Sequence, residues 1–337
     1  MSDPGHTPDS AGVRLENVSR AFGTLKAVDG VSLDIPSGSF FSLLGPSGCG
    51  KSTTLRIISG FETPDEGRVL IGNQDVTDQQ ARHRPTAMVF QNYALFPHMT
   101  VGENVAYGLK VRGLDRATVR SKVADALRRV DLESFVDTPV TSLSGGQQQR
   151  TALARAVAIE PHVILFDEPL SNLDVALRHQ TRAELKALQH RLGLTSVYVT
   201  HDQEEAMALS DLVAVMRAGR IVQTGSPRDL YQAPETAFVA SFLGGGNLID
   251  DPGMIRTLTG QDCPPGQVLA VRPEHIRVGV SEGMMARVTS HQYLGVSTSL
   301  TLACGSSMLN ARIPGDEDIP ESTVISVESW RFVTEDR

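Results

Sequence analysis

The stretch GPSGCGKST, from Gly45 to Thr53, decides the fold. It matches the pattern G-x-x-x-x-G-K-[S/T], in which glycines let backbone N–H groups turn inward around phosphate oxygens. Lys51 can reach the outer phosphates of a nucleotide, and the Ser52 hydroxyl can bind Mg²⁺. The predicted nucleotide-binding loop consists of Gly45, Pro46, Ser47, Gly48, Cys49, Gly50, Lys51, Ser52 and Thr53.

The residues on either side of this loop supply the structural context that the motif requires. The apolar run Phe40–Leu44 predicts a buried strand, and Lys51–Ser59 predicts a helix that Gly60 can end. A helix that begins at the loop adds its positive dipole end to the phosphate site. This strand, loop and helix indicate a nucleotide site, but the motif alone does not distinguish a kinase from a transport ATPase.

Buried strands and amphipathic helices alternate over residues 12–243, which predicts an α/β core. The later strands are apolar runs with little alternation, as expected in a parallel sheet covered on both faces. Residues 92–141 show helical periodicity and no convincing strand, so we expect a helical insertion, within a helical subdomain of about 92–158. The predicted strands are Phe40–Leu44, Ala87–Phe90, Val163–Phe166, Ser196–Thr200 and Leu212–Met216.

A second domain is expected after the glycine run at 244–246, because consecutive glycines suit a turn or linker. Val268–Val271 reads as a strand. Alternating apolar residues then predict two more strands, 300–304 and 309–313, joined by a turn at Gly305. We therefore expect a small all-β domain over residues 247–337.

Composition excludes several classes of protein. A net charge of -8 and a pI of about 5.6 argue against a nucleic-acid binder that works by broad positive charge. Cys49, Cys263 and Cys304 are sparse and show neither a disulfide framework nor zinc spacing. No leader pattern opens the chain, and no apolar run approaches the ~18 residues that a membrane span needs. We expect a cytoplasmic protein that acts on a membrane only through partners.

An acidic pair and a histidine follow two of the buried strands. Asp167 and Glu168 end the strand that begins at Val163, at the sheet edge where α/β proteins bind ligands. Successive strand residues point to opposite faces, so Asp167 can organise Mg²⁺ while Glu168 orients or deprotonates the attacking water. His201 follows Thr200 at the same edge, where it can contact a γ-phosphate or simply lie at the surface.

A second glycine-containing motif, LSGGQQQR, runs from Leu143 to Arg150 and precedes the helix pattern Thr151–Ala158. Ser144 and Gln147 fit a capping box at a helix start. Capping does not explain two glycines in a first helical turn, where they weaken the helix but suit close approach of a phosphate.

The ordered set of motifs resembles the nucleotide-binding subunit of an ATP-binding cassette (ABC) transporter. Kinases and GTPases with a phosphate loop lack the LSGGQ element, and the resemblance covers residues 12–243. The motifs are GPSGCGKST, Gln91 after a strand, LSGGQQQR, VILFDEP, SNLD and VTHD.

The resemblance implies a head-to-tail dimer of two copies with two ATP molecules between them. The phosphate loop of one copy and Ser144, Gly145, Gly146 and Gln147 of the other would hold each ATP. Glu168 would then be the catalytic base and His201 the γ-phosphate switch.

Three further residues take roles from the same resemblance. Phe22 matches the aromatic residue that stacks on adenine. Gln91 matches the lid-loop glutamine that senses Mg²⁺ and water, and the segment after it would touch membrane subunits. Asp174 belongs to a loop, Ser171–Asp174, that would cross the dimer interface.

The C-terminal motifs resemble importer subunits that carry a small OB-like (TOBE) domain. These motifs are YQAPETAFVASFLGGGN from Tyr231 and VRPEHIRV from Val271. The implied partners are two integral-membrane permease subunits and, indirectly, an extracytoplasmic solute-binding protein, with the chain peripheral on the cytoplasmic face. Polyamine or ferric iron is the favoured cargo; sugar, sugar phosphate, phosphonate and thiamine are alternatives.

Other functions remain open from sequence. The chain could be a soluble ABC ATPase of translation or DNA repair, although it lacks a second cassette and a long coiled coil, or a mainly regulatory ATP-binding module. Cys49 lies at a helix N-terminus, which favours a thiolate. We therefore expect alkylation of Cys49 to block hydrolysis and ATP to protect it.

Overall fold

The computed structural model describes residues 10–171, 175–315 and 319–336. The chain divides into two compact units, an N-terminal unit that ends at Pro227 and a C-terminal unit that begins at Arg228. None of the helices formed by these residues is both long enough and apolar enough to cross a membrane.

The N-terminal unit contains ten strands and six α-helices in its described residues. Its strands are β1 (Val13–Phe22), β2 (Leu25–Ile35), β3 (Phe40–Leu44), β4 (Glu66–Ile71), β5 (Gln74–Asp75), β6 (Thr86–Val89), β7 (Val163–Asp167), β8 (Thr195–Thr200), β9 (Leu212–Arg217) and β10 (Arg220–Gly225). Its helices are α1 (Lys51–Ser59), α2 (Val101–Val111), α3 (Arg116–Arg129), α4 (Gly145–Ala158), α5 (Val175–Leu192) and α6 (Gln203–Leu209).

A six-stranded sheet in the order β10-β9-β3-β8-β7-β6 forms the centre of this unit. All neighbours are parallel except β10, which runs antiparallel to β9. Every residue of β3 and β8 is buried, as expected for strands of a parallel sheet covered on both faces. The predicted α/β fold is confirmed, and the ends of β3, β8 and β7 lie side by side.

Two hydrophobic cores flank the six-stranded sheet. Successive residues of β3 point to opposite faces, so Phe40 packs into one core and Phe41 into the other. The first core contains α4, α5 and the helical segment, in which Val119 and Leu127 are buried. The second contains α1 and a separate antiparallel sheet, β2-β1-β4-β5, which the sequence analysis did not predict.

The segment predicted to be helical contains α2 and α3 and two 3₁₀ helices, Glu133–Phe135 and Val140–Ser142. Thr100 begins α2 with a capping box, since its hydroxyl accepts from the Glu103 N–H and the Glu103 carboxylate accepts from the Thr100 N–H. Asp115 caps α3 in a similar way. These side chains satisfy N–H groups that would otherwise lack partners at the helix starts.

The C-terminal unit consists mainly of two antiparallel sheets, in the orders β11-β12-β18 and β13-β17-β14-β15-β16. Its described strands are β11 (Asn247–Ile249), β12 (Gln267–Val271), β13 (Ile276–Val278), β14 (Met284–Tyr293), β15 (Ser297–Cys304), β16 (Ser307–Pro314), β17 (Ser322–Val327) and β18 (Arg331–Thr334). The helices are α7 (Pro227–Gln232), which begins at the boundary between the units, α8 (Ala237–Phe242) and α9 (Pro252–Thr259). The predicted all-β character is confirmed.

The boundary between the units falls at the start of α7, whereas the sequence predicts a linker at the glycine run 244–246. Arg272, at the end of β12, explains the difference. Its guanidinium donates to the carbonyls of Tyr231, Ala240 and Leu243 and stacks on the Tyr231 ring, 4.1 Å from the centroid. These bonds hold the chain around α7 and α8 against the C-terminal sheet. The Tyr231 hydroxyl in turn donates to Glu274.

We expect Tyr231→Phe to destabilise the C-terminal unit by about 1–2 kcal/mol, because Glu274 loses its donor. Burial and the Glu274 bond raise the pKa of Tyr231 from 10.0 to about 12. Since the folded unit holds this proton more tightly, Tyr231 contributes stability below about pH 10 that is lost between pH 10 and 12. The variant should lack that part of the alkaline loss of stability.

Denaturant unfolding can follow this change through Trp330, the sole tryptophan of the chain. Tyr293→Phe is the matched control, because Tyr293 is exposed on β14. Equal stability of the two variants over the whole pH range would contradict the role given to the Tyr231–Glu274 bond.

Candidate nucleotide and catalytic site

The loop from Gly45 to Thr53 connects the carboxyl end of β3 to the start of α1. At two of its positions the surrounding backbone leaves no space for a side chain. A Cβ atom on Gly45 would lie 2.3 Å from the Met216 carbonyl oxygen. A Cβ atom on Gly50 would lie 2.2 Å from the Ala27 carbonyl oxygen, and Gly50 has a φ of 108°. Glycine is therefore required at both ends of the loop.

Lys51 is buried at the first position of α1, and its ammonium group lies inside the loop. The Nζ atom donates to the carbonyls of Gly45 at 2.7 Å and Pro46 at 2.9 Å. A charged amine in this position satisfies its desolvated charge with loop carbonyls. Contact with a phosphate would require Nζ to exchange these carbonyls for phosphate oxygens.

Ser52 and Asp167 come together across the sheet edge as the sequence predicts. The Ser52 hydroxyl donates to Asp167 Oδ1 at 3.1 Å. A hydroxyl and a carboxylate are hard oxygen donors that suit Mg²⁺, which commonly uses one or two protein ligands together with water and phosphate oxygens. Within the residues that the structure describes, no cluster of three or more His, Cys, Asp or Glu side chains is placed to hold a metal.

Glu168 points away from Asp167 and toward His201. The distance between His201 Nδ1 and Glu168 Oε2 is 3.1 Å. Glu168 has a positive φ of 46°, which is uncommon for a residue with a side chain. Its N–H donates to the Val199 carbonyl of β8 at 3.1 Å, so the backbone turn and the adjacent strand together fix the carboxylate.

Gln91 joins the same group through Ser171. Gln91 Nε2 donates to Ser171 Oγ at 3.0 Å, and Ser171 Oγ donates to the Glu168 carbonyl at 2.9 Å. A movement of the Gln91 side chain can therefore be transmitted to the backbone of Glu168 through the Ser171 hydroxyl. The sequence suggests each residue but not this relay, because the two bonds depend on the turn after β7.

The LSGGQ motif lies at the start of α4 and forms the predicted capping box. Ser144 and Gln147 bond to each other's backbone N–H groups, at 3.4 Å and 2.9 Å. A Cβ atom on Gly146 would meet nothing within 4 Å, so that side of the first turn is open. Gly145 is the first residue of the same helix. Asp174, the predicted interface residue, lies outside the described residues.

Phe22 is exposed at the end of β1, with 46% of its surface accessible. The Arg20 guanidinium lies over its ring at 5.0 Å from the centroid. Arg20 also bonds to Asp65 at 2.6 Å, and the Ala21 N–H and the Arg20 guanidinium together lower the pKa of Asp65. A large exposed aromatic side chain that is anchored in this way suits stacking against a flat ring.

Arg155 belongs to the site region although no sequence motif points to it. It projects from α4 and donates to the carbonyls of Tyr93 and Ala94, both at 2.7 Å. Its guanidinium also lies 5.7 Å from the centre of the Phe96 ring. Tyr93 and Ala94 have positive φ angles of 60° and 45°. Arg155 thus connects the LSGGQ helix to the segment that follows Gln91.

The expectation of an activated thiolate at Cys49 is wrong. Cys49 is only 4% exposed, and burial raises the pKa of its thiol. The Lys51 ammonium lies 3.8 Å from the sulfur, but its effect offsets only part of the desolvation. Proximity to a helix N-terminus predicts a lower pKa only where the sulfur keeps contact with solvent.

We expect iodoacetamide to label Cys49 at neutral pH at least roughly tenfold more slowly in the folded chain than in denaturant. Labelling should accelerate as the pH rises, because a raised pKa leaves little thiolate at neutral pH. Mass spectrometry of the labelled peptides gives both rates, and half-buried Cys263 serves as the internal reference. Labelling at the rate of a free thiol would contradict the burial of Cys49.

Comparisons with known proteins identify both parts of the chain. The sequence profile of the family described as ABC transporter matches residues 28–171, and that of the TOBE domain matches residues 269–320. The Fe(3+) ions import ATP-binding protein FbpC of Escherichia coli is 54% identical over 236 residues, which cover 70% of this chain and 68% of that protein. FbpC of Brucella abortus is 42% identical over 334 residues, with coverages of 94% and 95%.

Two solved structures share the fold of part of this chain. One is cbiO1 from Clostridium perfringens, part of the ABC transporter complex cbiONQ, with a TM-score of 0.60 and 29% identity over 65% of this chain and 89% of that one. The other is an ATP-binding cassette solved as a dimer in a post-hydrolysis state, bound to ADP and Pi. It has a TM-score of 0.55 and 34% identity, over 64% of this chain and 99% of that one. The chain therefore belongs to the ABC transporter family of ATP-binding, ATP-hydrolysing subunits and carries a TOBE domain after its cassette.

Proposed function

We propose that this chain energises the import of ferric iron across a membrane. Two copies would close head to tail around two ATP molecules at the cytoplasmic face and drive two integral-membrane permease subunits. An extracytoplasmic binding protein would deliver the iron. Relatives named for Fe(3+) import support this cargo over polyamines, at 42–54% identity and up to 95% coverage.

One observation carries the hydrolytic part of the proposal. The ends of β3, β8 and β7 are neighbours, and they place the phosphate loop, His201 and the Asp167–Glu168 pair at one edge. The side chains there form two separate pairs, Ser52 with Asp167 and His201 with Glu168. Separate pairs suit separate tasks, namely metal binding and activation of water.

The residues of the site would act in a defined order. When ATP binds, Lys51 Nζ exchanges the carbonyls of Gly45 and Pro46 for phosphate oxygens. His201 exchanges the Glu168 carboxylate for a γ-phosphate oxygen, which frees Glu168 to accept a proton from the attacking water. Mg²⁺, held by Ser52 and Asp167 with Gln91 close to the water, would neutralise charge on the phosphates.

The other half of each nucleotide site would come from the second copy. Ser144, Gly145, Gly146 and Gln147 bond locally in the capping box, and the open side at Gly146 leaves room for close approach of a phosphate. Asp174 would line the same interface. Phe22 would stack on adenine in its own copy. ATP would drive closure because it binds the closed dimer better than the open one.

Reconstitution with the two permease subunits tests the cargo. Proteoliposomes would receive binding protein loaded with ferric iron or, in parallel, binding protein loaded with a polyamine. We expect the iron-loaded protein to stimulate ATP hydrolysis and iron uptake. Vesicles that contain the Glu168→Gln chain should take up no iron. Stimulation by the polyamine-loaded protein alone would reject ferric iron as cargo but leave the hydrolytic assignment intact.

A further inference from the structure

The C-terminal unit contains a cleft that has no part in the proposed binding and hydrolysis of ATP. The cleft has a volume of about 410 Å³, and its lining includes Tyr231, Arg272, His275, Trp330 and Arg331. This volume lies within the range of small-molecule sites, about 300–1,000 Å³. All of these residues belong to one unit, so the cleft does not depend on how the two units are arranged.

Arg272 places a buried positive charge beside the cleft. It is 7% exposed, and its guanidinium donates to the carbonyls of Tyr231, Ala240 and Leu243. No ion pair joins it to a carboxylate in the part of the chain that the structure describes. Burial lowers its pKa, while Tyr231 and Glu274 act in the opposite direction. A buried cation of this kind favours an anion in the adjoining cleft.

The rim of the cleft offers two side-chain donors for which the described residues supply no hydrogen-bond partner. The side chains of His275 and Arg331 make no hydrogen bond or ion pair with any residue in the described ranges. Arg331 is exposed and His275 is half-buried, so both can reach a ligand in the cleft. An arginine fork is well suited to a carboxylate or a phosphate, which it can bind with two parallel hydrogen bonds.

Two rings line the same cleft. Trp330 is half-buried and held edge-on by Phe332 at a centroid distance of 5.1 Å. The Tyr231 ring is fixed between the Arg272 guanidinium and the Glu274 carboxylate that its hydroxyl contacts. Rigid aromatic side chains at a cleft suit flat apolar groups, since little side-chain entropy is lost on binding.

We propose that this cleft binds a small organic anion in which a carboxylate or a phosphate is attached to a flat ring. The anionic group would lie against Arg331 and His275, on the side of the cleft where Arg272 is buried, and the ring would lie against Trp330. This site is separate from the nucleotide loop. Its test therefore does not depend on the transport function proposed above.

Trp330 is the sole tryptophan of the chain, so the intrinsic fluorescence of the full-length protein can report binding in the cleft. Benzoate, phenyl phosphate and neutral benzyl alcohol are the probes, and tryptophan emission is followed during each titration. We expect a saturable change with at least one anion and none with benzyl alcohol. The anion that binds more tightly distinguishes a carboxylate ligand from a phosphate ligand. Calorimetry repeats each titration so that binding without a change in emission is still detected.

Two arginine variants complete the test. Arg331→Ala should weaken binding of the preferred anion about tenfold, because a charge-assisted hydrogen bond is lost. Arg287→Ala, at an exposed arginine on β14 outside the cleft, should leave the affinity unchanged. Equal affinities of the two variants, or equal binding of benzyl alcohol, would overturn the proposal. So would the absence of heat and emission changes up to about 10 mM of both anions.

Discussion

The Glu168→Gln variant is expected to hydrolyse ATP about 10²- to 10⁴-fold more slowly than the wild-type chain, while two copies stay joined around ATP. The amide keeps the shape of the side chain but cannot take a proton from water. The positive φ of Glu168 and its N–H bond to Val199 depend on the backbone, so the site should keep its geometry. The variant should therefore lose ATP turnover but keep the ability to form the ATP-bound dimer.

Phosphate release and size-exclusion chromatography with ATP measure the two effects. Glu204→Gln is the matched control, because Glu204 lies on α6, is largely exposed and pairs with Arg182 at 3.4 Å. The control should hydrolyse ATP at the wild-type rate and form no lasting dimer. Wild-type turnover in Glu168→Gln would refute the assigned base, and lost turnover without dimers would refute ATP-driven closure of the dimer.

Gly50→Ala should abolish measurable ATP binding, because the new Cβ atom would lie 2.2 Å from the Ala27 carbonyl oxygen. Both the loop and the strand that carries Ala27 would have to move. A φ of 108° adds backbone strain, so we expect a stability loss of roughly 2–5 kcal/mol in total. A displaced loop cannot direct its N–H groups at phosphate oxygens.

Gly113→Ala is a control that separates the effect of backbone strain from the effect of a steric clash at the new Cβ atom. Gly113 also has a positive φ, of 75°, but a Cβ atom there would meet nothing within 4 Å. That variant should lose only about 1 kcal/mol and keep full ATP affinity. Thermal unfolding and nucleotide titration of both variants provide the comparison. Near-normal ATP affinity in Gly50→Ala would mean that the loop tolerates the side chain, contrary to the close packing described above.

Local sequence patterns predicted the parallel sheet well because its strands are buried on both faces. β3 has the predicted bounds, and β6 begins and ends one residue before the predicted strand. The antiparallel sheet was missed although Val31, Leu33 and Ile35 alternate with exposed residues on β2. Its register depends on pairing with β1 and β4, and bulges interrupt the pairing of β1 with both. Period-two alternation in this region was the available signal.

Sequence motifs suggest which residues belong to the candidate site, but they do not predict most of the contacts between those residues. The phosphate-loop pattern and the strand ends predict Ser52, Asp167, Glu168 and His201 as site residues. They do not predict the left-handed backbone at Glu168, which arises from the turn after β7. The thiolate prediction at Cys49 failed because a sequence motif does not report burial. The compact C-terminal unit begins at Arg228, before the predicted domain start at residue 247. Arg272, some thirty to forty residues beyond α7 and α8, bonds to main-chain carbonyls there, a contact that no local pattern predicts.

The Arg155 side chain bonds to the main chain of the segment after Gln91 and not to hydrogen-bonding groups on that segment's side chains. Its two bonds end on the carbonyls of Tyr93 and Ala94, which any residue would supply. The exposed side chain of Ala94 is therefore free to change without loss of the connection. In the proposed complex with permease subunits, substitutions on the outer face of this segment would alter its contact with those subunits, while the link to the LSGGQ helix is inherited intact.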